Sequence, residues 1–306
     1  MIIDWYYPDW SDSFGAPSLY LRTRDKDGKL NVTIIHPEDE GYIRPFCWVP
    51  SNLPQWKIVR LENRFPSATL HPKCKAKGRD GIALIKLEVD KPNELYEIKD
   101  ILPTYEADLQ YVDQILLEKY PDKIPEFHPR VWYFDLEWDA KKDFTTVMAV
   151  VDSHADLPVV FAWKPEIKTM SVNYIEREGG YMLHEYGSEE TMHEGFLQHL
   201  EASDPDILVA HAIMWADLPH LIRRLENPNR LSPVLSVVKP FKDGGYKDTQ
   251  QPIKGRICWD SAAHWKSGSG FETLWQKSGR GQLPNRKLNT IAGLLQLGSK
   301  LTDEIE

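Results

Sequence analysis

The run VWYFDLEWDA at 131–140 holds the residues of this chain best placed to do chemistry. Asp135 and Glu137 stand two positions apart among aromatic and aliphatic residues. Side chains alternate along a β-strand, so both carboxylates would point to the same side of one strand. Neighbouring carboxylates repel each other unless something positive lies between them, and the usual candidate is a hard divalent cation bound by oxygen ligands. The spacing therefore predicts a metal site on a buried strand.

A third carboxylate lies where a predicted strand gives way to a predicted helix. The strand is DPDILVAHA at 204–212, the helix is DLPHLIRRLENP at 217–228, and Asp217 opens that helix. Two roles fit Asp217, a metal ligand or a plain helix N-cap, which is a common position for Asp. Trp215, just before it, suits either stacking on a nucleic-acid base or packing against the helix.

The elements that must position these residues fall into two blocks. Residues 1–130 are β-rich, with a hairpin that turns at Asp27-Gly28. Residues 131–306 alternate strand and helix, which favours an α/β domain with a central sheet. The first block is predicted to contain strands at 42–49, 68–74 and 81–89, a basic loop at 73–80, a helix at 107–120 and a Pro-rich linker at 121–129. The second is predicted to contain strands at 131–138, 145–155, 158–164, 204–212 and 255–260, helices at 188–202 (N-cap Ser188), 217–228 and 287–298, and an insertion at 262–285.

Composition narrows the functional classes. The 306 residues suffice for two domains, and 42% hydrophobic with 27% charged residues is ordinary for a globular protein. A net charge of −9 argues against a broad basic face that coats duplex DNA, although a narrow nucleic-acid cleft stays open. Three distant cysteines predict neither a disulfide framework nor a zinc site. Without a signal peptide or a membrane-length apolar run, we expect a cytoplasmic protein.

Taken in order, the motifs resemble one family. The pattern DxE is followed by DPDIxxxH and then by Asp217 in DLPxL, with 217 − 135 = 82 residues between the first and last carboxylates. The segments LYLRTRDKDGKL, YIRPFCWVP, LPTYEADLQYVDQILLEKY, GRICWDS and KLNTIAGLLQLGSK also resemble, in the right order, the corresponding stretches of family B DNA polymerases. The resemblance covers nearly the whole chain, as that family's N-terminal domain (1–130) plus its 3′→5′ proofreading exonuclease domain (131–306).

This resemblance implies a fold, a chemistry and partners. The fold would be a ribonuclease-H-like (DEDD) exonuclease domain of the α/β class beside a β-rich α+β N-terminal domain. Asp135, Glu137 and Asp217 would hold two Mg²⁺ or Mn²⁺ ions for hydrolysis of mispaired primer ends. His211 and Trp215 would contact the DNA, which would be single-stranded or primer-template DNA. In some family members the N-terminal domain also binds the template strand, and Pro45, Phe46 and Trp48 would then be stacking residues or, as we favour, core packing.

The chain also departs from the family pattern. Ala212 and Ala216 stand where the second motif usually has Asn and Phe, and no Tyr-x-x-x-Asp third motif or polymerase motif follows. Asp260 is either a substitute ligand or a polar residue at a strand end. We expect either a fragment or one half of a split, phage-like polymerase in the host cytoplasm, completed by a C-terminal polymerase chain with palm, fingers and thumb. The alternative to an active exonuclease is a crippled scaffold that binds template DNA and the polymerase half.

Overall fold

The computed structural model describes residues 1–7, 15–139, 141–176, 180–240, 245–246, 251–265, 276–280, 285, 287 and 290–291. The predicted insertion at 262–285 and the predicted helix at 287–298 lie mostly outside these described residues. Chain contacts divide the protein into two units, Met1–His128 and Pro129–Glu306. Among the described residues, no helix combines the length and the apolar character needed to cross a membrane.

The described residues of the first unit form two small antiparallel sheets and three helices. One sheet has the order β1-β2-β3 and the other has the order β4-β6-β5. The strands are β1 (Ile2–Tyr6), β2 (Ser18–Arg24), β3 (Leu30–Ile35), β4 (Phe46–Pro50), β5 (Thr69–Lys77) and β6 (Ala83–Glu88). The helices are α1 (Gln55–Arg64), α2 (Pro92–Ile98) and α3 (Tyr111–Lys119).

The hairpin predicted at Asp27-Gly28 is confirmed, because β2 and β3 pair in antiparallel register. Gly28 has a φ of 79°, which glycine adopts without steric cost, and the Asp25 carboxylate accepts the backbone N–H of Asp27 at 3.0 Å. Two other predictions were wrong. The segment 73–80 was predicted to be a loop, but residues 73–77 belong to β5. The helix predicted at 107–120 begins only at Tyr111, because its N-cap, Gln110, has an extended backbone.

The second unit is built on a seven-stranded mixed sheet with the order β10-β11-β9-β8-β7-β12-β13. Its strands are β7 (Val131–Asp139), β8 (Phe144–Asp152), β9 (Val159–Trp163), β10 (Ser171–Ile175), β11 (Tyr181–Tyr186), β12 (Ile207–Ala210) and β13 (Ile257–Asp260). Within the described residues it has the α-helices α4 (Glu189–Ser203) and α5 (Asp217–Arg224), and shorter helical turns span Pro228–Leu231, Ser261–Trp265 and Gln276–Arg280. This arrangement confirms the predicted α/β class of the second block.

Strand direction sets the geometry around β7. The neighbour β12 runs parallel to β7, and β13 runs parallel to β12, whereas β8 is antiparallel to both β7 and β9. Side chains on one face of this sheet join those of α4 and α5 in the main hydrophobic core, which includes Trp132, Phe134, Leu136, Met148, Val150, Phe161, Phe196, Leu200, Leu218 and Leu221. The helices therefore cover one face of β7.

The two helices of this unit begin differently. Ser188 is the N-cap of α4 as predicted, and its hydroxyl accepts the backbone N–H of Thr191 at 3.3 Å. In α5 the N-cap is Ala216, so Asp217 is the first helical residue and the N-cap role considered for it was wrong. The helix is shorter than predicted and ends at Arg224, because Leu225 adopts an extended conformation.

Candidate functional site

Asp135 and Glu137 share one face of β7, as the period of two predicts. Trp132, Phe134 and Leu136 are buried in the core, while Tyr133 is 51% exposed on the opposite face. On that open face Asp135 is partly buried and Glu137 is exposed. The strand is therefore buried on one side only, which corrects the expectation of a fully buried strand. The two carboxylates lie side by side on a surface that solvent and ligands can reach.

A β-bulge follows Glu137 directly. The pairing of β7 with β8 shifts register between Glu137 and Trp138. The Thr146 hydroxyl donates to the backbone carbonyl of Glu137 at 2.8 Å and holds the irregular geometry in place. Bulges bend a strand and redirect side chains, and they are frequent beside active sites. The extra residue is Thr146 on β8, since Glu137 pairs with Val147 and Trp138 with Thr145. Trp138 continues the helix-side face of β7, where its ring stacks on His220 of α5 with centroids 4.8 Å apart.

Asp217 lies on the buried side of α5. Its side chain is 3% exposed, at the start of a helix whose Leu218, Leu221 and Ile222 enter the core. Among the described residues no three His, Cys, Asp or Glu side chains are arranged to hold a metal ion. Asp135, Glu137 and Asp217 are thus not gathered into one three-carboxylate site in this structure. Their donor chemistry fits Mg²⁺ or Mn²⁺, and their role as ligands stays a prediction.

The loop between β12 and α5 carries the two predicted DNA contacts. His211 is half-buried, and its Nδ1 lies 3.1 Å from the Ser261 hydroxyl. Trp215 is 53% exposed. Stacking on a base and packing against the helix both stay predictions for Trp215. Ala212 has a φ of 67°, a left-handed conformation that alanine adopts only at a cost.

Asp260 and Gly245 both contact the backbone of this loop. The buried carboxylate of Asp260, at the end of β13, accepts the backbone N–H of Ala212 at 3.0 Å and that of Met214 at 3.3 Å. A Cβ on Gly245 would lie 1.9 Å from the Met214 carbonyl oxygen, so only glycine permits this approach. Asp260 is therefore a structural residue whose oxygens hold the loop, which supports the simpler of its two interpretations.

A cluster of polar side chains, here named the Thr145 cluster, joins α5 to α4 and β8. It consists of Thr145, Glu189, His193, His220 and Arg224. The Thr145 hydroxyl lies 3.1 Å from Nε2 of His220 and 3.2 Å from Nε2 of His193. The Thr145 backbone N–H donates to Glu189 at 2.9 Å. Sequence reasoning missed this cluster, because its members come from β8, α4 and α5 and form no local motif.

Charges in the Thr145 cluster are fixed by burial and pairing. Burial lowers the pKa of both His193 and His220 below the ordinary value, so both imidazoles are neutral near pH 7. Burial acts to raise the pKa of Glu189, but the hydrogen bonds from Arg224 and from the Thr145 amide outweigh it, and the net pKa is lowered. Glu189 and Arg224 form a two-pronged ion pair with N–O distances of 3.1 and 2.5 Å.

The first unit has a separate cleft of about 440 Å³, lined by Phe46, Trp48, Glu106, Leu109, Gln114, Leu117, Glu118 and Pro121. Phe46 is buried, with the Lys86 ammonium 4.0 Å from its ring centroid, so its role is packing, as we favoured. Gln114 is 1% exposed, and its Oε1 accepts the Phe46 amide at 3.0 Å. Its Nε2 has no hydrogen-bond partner among the described residues. Gln114 therefore acts from the core, where it holds the backbone of Phe46 at the edge of this cleft.

Comparisons with known proteins rest on structure alone. No family model matches the sequence, and no curated protein does. A solved family B DNA polymerase from the hyperthermophilic archaeon Pyrobaculum calidifontis superimposes with a TM-score of 0.63 over 98% of this chain, at 14% sequence identity. The match covers 39% of that polymerase, so this chain spans about two fifths of its length. The chain thus has the fold of part of a family B DNA polymerase.

Proposed function

We propose that this chain is the N-terminal and exonuclease portion of a family B DNA polymerase and hydrolyses mispaired primer ends in the 3′→5′ direction. The observation that carries the proposal is the pair Asp135 and Glu137, side by side on the open face of β7. Within a fold shared with a family B DNA polymerase, that pair is the feature best suited to metal-dependent phosphodiester hydrolysis.

The sheet topology supports a ribonuclease-H-like domain. The first strand of the unit, β7, lies inside the sheet. The next two strands extend one side by antiparallel pairing, and β12 and β13 extend the other side in parallel. This order brings the end of β7, with Glu137, and the loop after β12, with Trp215, to the same edge of the sheet.

Each residue has a proposed role. Asp135, Glu137 and Asp217 would hold two Mg²⁺ or Mn²⁺ ions, which would supply an activated water and stabilise the leaving 3′ oxygen. Trp215 presents an exposed ring on which the base of a frayed strand can stack, worth about 1–3 kcal/mol per base. His211, whose Nδ1 lies 3.1 Å from the Ser261 hydroxyl, follows the strand beside β7 and would contact the same DNA strand.

A scaffold role is the second candidate. The described residues contain no assembled group of three metal-binding side chains, and Ala212 and Ala216 lack the polar and aromatic groups usual at these places in the family. A scaffold would bind template DNA and a C-terminal polymerase chain without hydrolysing either. We favour the exonuclease because Asp135 and Glu137 share one open face of β7 within a fold shared with a family B DNA polymerase.

The proposed partners are single-stranded or primer-template DNA and a polymerase chain carrying palm, fingers and thumb. The cleft of the first unit offers a place for a template base, since Trp48 lines it and supplies an aromatic ring for stacking. Replacing Trp48 with Ala should then weaken binding of single-stranded DNA in a fluorescence anisotropy titration. Equal affinity of the variant and the wild type would exclude this cleft.

The test of the exonuclease is degradation of a 5′-labelled single-stranded oligonucleotide with Mg²⁺ or Mn²⁺, by the chain alone and with a candidate polymerase chain. A 3′→5′ ladder that disappears in the double variant Asp135→Asn with Glu137→Gln supports the proposal. The matched control is Asp156→Asn with Glu166→Gln, which makes the same charge change at two exposed positions. The absence of a ladder in both mixtures, with primer extension intact, would favour the scaffold.

A further inference from the structure

The Thr145 hydroxyl has one proton to share between two imidazoles. Nδ1 of His220 lies 3.7 Å from the Asp143 carboxylate and Nε2 of His193 lies 3.7 Å from the Glu189 carboxylate. A nearby carboxylate favours the tautomer that carries the hydrogen on the facing nitrogen. In that tautomer Nε2 of His220 accepts the Thr145 hydroxyl hydrogen, while Nε2 of His193 donates to the same oxygen. One hydroxyl then bridges Nε2 of both rings.

These hydrogen bonds stabilise α5, a helix with few stabilising interactions of its own. The helix α5 is eight residues long, and its N-cap, Ala216, provides no side-chain hydrogen bond. Helices this short depend on tertiary contacts for their stability. The Thr145 cluster supplies such contacts at two successive turns, through His220 and through the ion pair of Arg224 with Glu189. Asp217 lies three residues before His220, on the same side of the helix.

The same cluster reaches the strand that carries Glu137. Trp138 follows Glu137 at the bulge, is paired with Thr145 in the β7–β8 register, and stacks on His220 with an interplanar angle of 16°. His220 therefore touches both Thr145 and the residue next to Glu137. Contacts among Trp138, Thr145 and His220 therefore connect the end of β7 to the first turn of α5.

We propose that His220, held by Thr145 and His193, is a positioning residue that sets Asp217 on α5 relative to Glu137 on β7. The inference deepens the proposed exonuclease function and rests on it. His220 is distinct from the proposed ligands, since its Nε2 lies within hydrogen-bond distance of the Thr145 hydroxyl and its ring stacks on Trp138. Supporting contacts of this kind around metal ligands typically change metal affinity on the order of 10- to 100-fold when they are lost.

The experiment compares four variants of the full chain. Thr145→Val removes the shared hydroxyl and keeps the side-chain shape, and Thr145→Ser restores the hydroxyl. His220→Gln keeps a hydrogen-bonding group at the position of Nε2 but loses the ring that stacks on Trp138. His199→Gln is the matched control. The ring of His199 is also partly buried and is stacked on a tryptophan, Trp132, with centroids 5.3 Å apart. It is not a member of the Thr145 cluster.

Two measurements separate positioning from general stability. The first is hydrogen exchange of the α5 amides without metal, and the second is Mn²⁺ binding followed by electron paramagnetic resonance, without DNA. We expect Thr145→Val and His220→Gln to speed exchange in α5 and to weaken Mn²⁺ binding about tenfold, with Thr145→Ser restoring both. His199→Gln should leave Mn²⁺ affinity unchanged.

The outcomes distinguish the two proposals. Wild-type protein that binds Mn²⁺, with equal affinity in the Thr145→Val and His220→Gln variants, would overturn the positioning role and leave the exonuclease standing. Unchanged exchange of α5 in both variants would overturn it as well. Wild-type protein that binds no Mn²⁺, alone or with the polymerase chain, would overturn the exonuclease proposal and the positioning role together.

Discussion

Replacing Glu189 with Gln tests how much burial increases the contribution of an ion pair to the free energy of unfolding. The Glu189 carboxylate is 6% exposed and accepts three hydrogen bonds, one from the Thr145 amide and two from the Arg224 guanidinium. Breaking a fully buried pair costs about 3–5 kcal/mol, because the remaining charge is left without a partner. The Arg224 side chain is 34% exposed, so water compensates part of this loss. We expect the free energy of unfolding to fall by about 2 kcal/mol.

A second glutamate of α4, Glu201, provides the control, because it also forms an ion pair with an arginine. Arg230 binds Glu201 of α4 through two N–O contacts of 2.7 and 2.9 Å, but the Glu201 side chain is 44% exposed. Exposed pairs contribute about 0–1 kcal/mol, so Glu201→Gln should have a small effect. The two substitutions make the same chemical change on one helix and differ mainly in burial.

The assay is urea unfolding followed by circular dichroism, with thermal melting as a second measure. A loss of about 2 kcal/mol should lower the Tm by about 4–8 °C in a unit of this size. The pKa of Glu189 is lowered in the folded state, so its contribution is present above the ordinary value of 4.5 and is lost as the pH falls below it. The argument from burial would be refuted if Glu189→Gln and Glu201→Gln lowered the free energy of unfolding equally. A decrease below about 1 kcal/mol in Glu189→Gln would also refute it.

Three further outcomes follow from the structure. Thermal stability should decline as the pH falls from 7 toward 5, because histidines whose folded pKa is below 6.5 bind protons more readily when unfolded; melting curves that do not change over this range would contradict the burial of His184, His193, His199 and His220. Gly245→Ala should displace the Met214 carbonyl and lower stability by about 1–3 kcal/mol, with a shift in Trp215 fluorescence; unaltered fluorescence and stability would argue against the close approach. Asp135→Asn with Glu137→Gln should raise stability in metal-free buffer by less than about 1 kcal/mol, since the carboxylates lie on an open face, and a lower Tm would count against their mutual repulsion.

Local signals determined much of the fold. The turn at Asp27-Gly28 and the Ser188 cap of α4 depend on backbone preferences and short-range hydrogen bonds, which are written in consecutive residues. The shared face of Asp135 and Glu137 follows from the period of a strand alone. The helix α1 was missed, because it begins after Pro54 with no side-chain cap to mark its start.

Tertiary structure decided the surroundings of the candidate site. Nothing near Asp260 in the sequence indicates that its carboxylate holds the amides of Ala212 and Met214, 48 and 46 residues away. The Thr145 cluster likewise joins residues separated by 75 positions along the chain. The sequence by itself determined which residues can do chemistry and on which side of β7 the two carboxylates lie, because both depend on residue type and local period. Only the packing of α5 against the sheet decided that Asp217 is buried and that His220 stacks on Trp138, the residue after Glu137. These positions depend on contacts between segments that are distant in the chain.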